Sequence, residues 1–421
     1  MRSIGRVFFI GFTIGVGAAC ARLESRPTGN AQANAILQSQ AMTLHQRLSV
    51  KTSIDNPNIT KMAEMIEAGR SYEAALLATK NEGFYDSVVR DFAVKMSNRE
   101  ESVRNPLNDF VATVIGIARD DIDARQMLTG NFFYYAPSES PTDASLVYSN
   151  AHYENLENKR EGIVLKLARR EGQLALDEDG TPRALKDSAG VITSRAFMSS
   201  HALGGTNRRL VEFAFSEFLC SPIEEWANTT IPDGYVGRDV GRMPADLYKG
   251  KCVGCHAPMD ALRPAFAYVN FETTAKGSAT TFQATYRMDP RDTQPDVIDV
   301  PVPSSEQKVP SKFRRNRRVF SDGFVVNNNA WENFTSPRFG WRGSLRGNGM
   351  QDFGQMLANS RRFSECMVKR AYQAVCYEEF PKDRADLLYD LSEAFEAEGY
   401  KLRNLFAHVA VQPECTGGEA K

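Results

Sequence analysis

The stretch Lys251-Cys252-Val253-Gly254-Cys255-His256 constrains this chain more than any other. Two cysteines two residues apart, with a histidine directly after the second, form the arrangement that receives one covalently attached c-type haem. The thiols of Cys252 and Cys255 can add to the two vinyl groups of the porphyrin, and the His256 imidazole then serves as proximal iron ligand. A structural zinc site would need a second ligand pair at matching spacing, which the other cysteines and histidines do not supply. A bare CxxC redox pair is the remaining alternative.

The amino terminus bears on the compartment. Arg2 and Arg6 lead into an apolar run from Val7 to Ala19 that ends at Cys20. The run is shorter than the roughly 20 residues a spanning helix needs and has the layout of an export signal. Gly17-Ala18-Ala19 ahead of Cys20 resembles a bacterial lipoprotein cleavage box, which would make Cys20 the lipidated first residue, anchored to an envelope membrane on its periplasmic or surface side. An ordinary secreted chain cleaved nearby is the alternative. Export to an oxidising compartment suits haem attachment and also disulfides among Cys220, Cys366, Cys376 and Cys415. Cys366 and Cys376 read as one helix, on which they stand about 15 Å apart, too far for a bridge. Cys220 therefore pairs with one and Cys415 with the other, and Cys376–Cys415 is preferred because a helical hairpin would return the tail past Cys376.

Lys and Arg number 51 against 52 Asp and Glu, so no overall charge drives the chain onto nucleic acid or an anionic surface. Membrane association is expected through the amino-terminal lipid only. The pattern is mainly α. A signal occupies 1–20 and a polar tether 21–59, with a partly helical 31–49 as its alternative; a helical domain spans 60–185. A cytochrome c-like haem region with loops and short strands spans 186–345, and a helical bundle 346–421. Within these, Asn105-Pro106 reads as cap and first-turn proline of a helix whose buried face carries Leu107, Phe110, Val111, Val114, Ile115 and Ala118. Phe132 to Tyr135 reads as a short buried strand or loop plug, 162–173 as an amphipathic helix, Asp177 to Pro182 as a turn, and Thr206 as the cap of a helix through Cys220. The acidic Asp120, Asp121 and Asp123 lack the glycine turn and distal glutamate of a calcium loop and read as a solvated helix junction. The basic run Lys312 to Arg318 reads as a solvated loop, or as a partner for haem propionates or an acidic protein.

Several blocks together resemble a family, the exported multi-domain haem-c proteins abundant in planctomycetes. Leu128-Thr129-Gly130-Asn131-Phe132 to Tyr148 is similar to its first domain. Gly204 to Arg209, Phe218-Leu219-Cys220 and Cys252 to Asp260 with Ala265 to Tyr268 are similar to the second, and Gly354 to Cys366 with Gly399 to Val409 to the third. Ala261-Leu262-Arg263 departs from the family's continuation after Asp260. The resemblance implies haem c and export and carries no substrate.

An exported electron-transfer protein with an envelope redox partner requires nothing beyond these features. A peroxidase- or oxidase-type enzyme would need an open distal iron position and an acid–base residue, and a surface-binding lipoprotein would use its haem structurally. Candidates for the sixth iron position are Met288, then Met350, then His201, with an open position as the alternative. Met259 follows His256 by three residues and stays on the proximal side.

Overall fold

The computed structural model describes residues 29–49, 55–159, 162–177, 180–185, 187–202, 208–231, 248–266, 269–274, 277–282, 314–315, 324–325 and 329–416. The fold is mainly helical with small sheets.

Helix α1 (Gly29–Ser49) buries Ala41, Leu44, His45 and Leu48, which share one face at helical spacing. Much of the expected tether is therefore helical, as in the alternative reading of 31–49. The stretch is polar on average, but its apolar stripe docks on α2 (Pro57–Glu67), capped by Asn56 through a 3.0 Å bond from the Asn58 N–H. Next come α3 (Ser71–Ala78) and a π-turn, Phe84–Val89, that runs into α4 (Arg90–Met96). Helix α5 (Asp109–Arg119) is capped by Asn108, whose Oδ1 accepts the Val111 N–H at 3.0 Å. The cap thus lies three residues beyond Asn105, because only Asn108 can reach the third N–H of this helix.

Strand β1 (Phe132–Tyr135) pairs antiparallel with β2 (Ala168–Glu171), Phe132 opposite Glu171 and Tyr135 opposite Ala168. The helix expected over 162–173 is only Ile163–Lys166, and the rest is strand and turn. Its apolar spacing suits a helix, but β1 needs a partner for its backbone, and tertiary pairing overrides local pattern. Hairpin β3–β4 (Leu174–Leu176, Pro182–Ala184) turns at Gly180, where φ is +74°.

The chain continues through α6 (Arg195–His201), α7 (Arg208–Leu219) and α8 (Val253–Leu262), which carries the cysteine motif. The cap expected at Thr206 lies outside the described residues. Hairpin β5–β6 (Val269–Thr274, Gly277–Phe282) then joins β3, Leu176 lying parallel to Thr281, in a sheet of order β4-β3-β6-β5. That sheet ties sequence before residue 185 to sequence after the motif, so the boundary expected there is not a structural one.

Strands β7 (Ala330–Glu332) and β8 (Arg346–Asn348) precede α9 (Gly349–Ala358), α10 (Arg361–Cys376), α11 (Ala385–Ala397) and α12 (Leu402–Ala410). These last helices are not a separate bundle. Phe406 of α12 meets Phe84 and Phe92 edge-on at 5.3 Å each, and one apolar core runs from Ala41 to Cys415. A detached bundle would expose those faces to water at about 25 cal/mol per Å².

Two glycines show how closely distant segments meet. A Cβ on Gly354 would stand 2.0 Å from the Leu128 carbonyl oxygen, and one on Gly190, whose φ is +55°, 2.1 Å from the Met127 carbonyl oxygen. Gly354→Ala is expected to cost about 2–4 kcal/mol, since backbone rather than a movable side chain blocks the methyl group. Gly250→Ala, with nothing within 4 Å, should stay within about 0.5 kcal/mol when both variants are compared with the parent by urea unfolding.

Candidate haem-attachment site

A π-turn, Tyr248–Cys252, feeds directly into α8. Cys252 stands at the cap position, and Cys255 and His256 follow at i+3 and i+4, so all three share one face of the first turn. Each is partly exposed. Pro258 lies inside this helix and cannot donate to the Gly254 carbonyl one turn back. The Asn228 N–H occupies that acceptor at 2.7 Å and pins the loop after Trp226 across the motif. Gly254 suits this crossing, because a Cβ there would already press Thr229 Cγ2 at 3.2 Å.

The far end of α8 is held electrostatically. Asp260 is 2% exposed and accepts from Arg208 Nε at 2.6 Å and from an Arg208 terminal nitrogen at 2.9 Å; Arg263 Nε lies 3.1 Å away. Sequence reading passed over this cluster although Arg208 and Asp260 both lie in the blocks noted above. The available signal was charge at helix positions that otherwise face the core.

Helix α7 is the spine behind the motif. Arg208 ties it to α8, while at its other end Glu217 accepts from Arg370 at 2.6 Å and the Cys220–Cys366 disulfide fastens it to α10. Burial raises the Glu217 carboxyl to about 7 against the opposing pull of Arg370. A carboxyl raised above its unfolded value stabilises the fold most below the unfolded pKa of 4.5 and progressively less as pH rises to about 7. Glu217→Gln is expected to remove that slope from stability measured by urea unfolding between pH 4.5 and 7.

Cys376–Cys415 forms the second bridge, with α-carbons 4.9 Å apart. Cys366 and Cys376 lie on the single helix α10 and do not bond to each other. Peptide mapping without reduction should recover Cys220 with Cys366 and Cys376 with Cys415; a Cys366–Cys376 peptide would overturn both bridges and the helix. With four of the described cysteines bridged, Cys252 and Cys255 are the free thiols among the described residues.

Burial first, then Glu224, Glu212 and Cys252, raise the Cys255 thiol above its usual range. The donor set fits a covalent haem: two unbridged, partly exposed thiols and an imidazole on one helical face. No family model, curated protein or solved structure matches this chain.

The distal candidates fare differently. Met288 and Cys20 lie outside the described residues, as does most of Lys312 to Arg318. Met350 is 1% exposed in the core at the start of α9, its N–H donating to Asp187 at 2.8 Å. His201 is fully buried, its ring 4.4 Å from Phe197 and stacked on Phe213 at 4.0 Å. Burial, then Arg209 and Arg99, lower it to about 3, so the imidazole stays neutral. Both side chains are built into the hydrophobic interior. Met259, at 5% exposure, also packs there.

The acidic run is structural. Asp120 bonds Arg119 at 2.6 Å and accepts from the Tyr134 hydroxyl, and Asp123 pairs with Arg125 at 2.6 Å. No group of His, Cys, Asp and Glu able to hold a metal occurs among the described residues, and no helix among them is long and apolar enough to cross a membrane.

Proposed function

We propose that this chain is an exported haem c protein of the bacterial cell envelope that carries electrons for a redox partner. The family resemblance and an anchor through a lipidated Cys20 belong to the same reading. The observation that carries it is the shared face of Cys252, Cys255 and His256 on the first turn of α8, with the two thiols left out of disulfides. When bound, the haem supplies a one-electron Fe(III)/Fe(II) couple.

The residues of this chain then have separate tasks. Cys252 and Cys255 would hold the macrocycle through thioethers, and His256 would ligate its iron. The Asp260 cluster keeps α8 fixed on α7, and the Asn228 N–H pins the neighbouring loop onto the first turn, so the ligand set sits on an anchored helix. A fixed ligand geometry suits repeated oxidation and reduction.

Optical spectra of purified protein, oxidised and reduced, test the reading together with acid–organic extraction of the denatured chain. Haem that stays with the polypeptide and cycles reversibly supports it; haem lost to the solvent, or a redox-silent spectrum, overturns it. Rapid peroxide turnover would instead favour the enzyme. Met288 is the first candidate that would supply a sixth iron ligand, with an open position as the alternative, and with Met288 in that role the weak near-infrared charge-transfer band of Met-ligated ferric haem should disappear in Met288→Ala. Survival of that band in the variant excludes Met288.

A further inference from the structure

A cavity of about 570 Å³ opens beside the Cys220–Cys366 bridge, on the α10 side of the spine helix. Its volume lies in the range of small-molecule sites. The lining contains four basic residues, Lys369, Arg370, Lys382 and Arg384, against two acidic ones, Glu101 and Glu379. Two of the bases are already committed. Arg370 bonds Glu217 at 2.6 Å, and Arg384 bonds Asp386 at 3.1 Å and pairs with Glu414.

The two lysines are not. Among the described residues, neither Lys369 nor Lys382 has a carboxylate within ion-pair distance. Lys369 is partly buried, and burial followed by repulsion from Arg362 lowers its ammonium below the usual lysine range, against the weaker pull of Glu365 and Glu225. A partly desolvated cation with no carboxylate in direct contact is electrostatically costly, and an anion entering from the cavity relieves that cost. The wall beside it is apolar, formed by Phe380 and Leu388, with Phe380 fixed edge-on against Tyr372 at 5.1 Å.

We propose that this cleft binds an amphiphilic organic anion, its carboxylate or phosphate head on Lys369 and Lys382 and its apolar body on Phe380 and Leu388. The site is independent of the haem reading, because none of these residues belongs to α8.

Isothermal titration calorimetry of the full chain with octanoate, octyl phosphate, inorganic phosphate and octanol tests the proposal. Octanoate or octyl phosphate should bind at least tenfold more tightly than both octanol and inorganic phosphate, and the tighter of the two identifies the preferred head. Lys369→Met/Lys382→Met should weaken that binding at least tenfold, whereas Lys61→Met, at an exposed position of α2, should not change it. Should the double variant fail to fold, Lys382→Met alone, at an exposed position, should weaken binding at least threefold. No binding of either anion, binding as tight to octanol or to phosphate alone, or affinity unchanged in the lysine variants overturns the proposal.

Discussion

Replacing both Cys252 and Cys255 by serine is expected to yield a chain from which acid and organic solvent remove all haem, where the parent protein retains it. Serine keeps the size and the partial exposure of these positions but cannot form a thioether, so the change isolates the covalent bond from the fold. Each single variant should retain haem through the remaining sulfur. His256→Ala should retain it too, because the iron–imidazole bond and the thioethers are separate, but its spectrum should lose the signature of proximal histidine. The readout is haem absorbance co-migrating with the polypeptide under denaturing conditions. If the double serine variant still holds its haem through extraction, the attachment lies elsewhere and the assignment of α8 fails.

Much of this site is legible in the sequence because its parts are local. Cys252, Cys255 and His256 lie within one helical turn, so spacing alone places them on a common face. The support for that turn is not local. The Asn228 N–H reaches the carbonyl that Pro258 leaves without its helical donor, and Arg208 meets Asp260 across 52 residues of chain. No periodicity encodes such a pairing. The same distinction explains the fold. The apolar stripes of α10 to α12 follow from sequence, whereas the docking of Phe406 on Phe84 and Phe92 does not, and so a shared core reads as separate domains. Residues 29–49 illustrate the converse. Their polar average suggests a tether, yet Ala41, Leu44 and Leu48 suffice once α2 offers a surface.

The buried cluster at the end of α8 should dominate the stability of the site. Asp260→Ala removes the carboxylate shared by Arg208 and Arg263 and leaves guanidinium groups, 9% and 2% exposed at their side chains, to lose its attraction without regaining water. Breaking a buried pair from one side typically costs about 3–5 kcal/mol, because the surviving charge keeps its desolvation penalty. Arg208→Met should cost less than Asp260→Ala, since Arg263 still neutralises the carboxylate at 3.1 Å. The double variant Arg208→Met/Asp260→Ala should fall short of the sum of its single changes, as expected for groups in direct contact. Urea unfolding of the haem-free chain gives these differences without interference from the cofactor. Because α8 is fixed on α7 through this carboxylate, Asp260→Ala should also lower the fraction of chains carrying haem when the protein is matured in cells. A cost below about 1 kcal/mol for Asp260→Ala would mean that packing of Leu262 and Phe266 alone holds the helix in place.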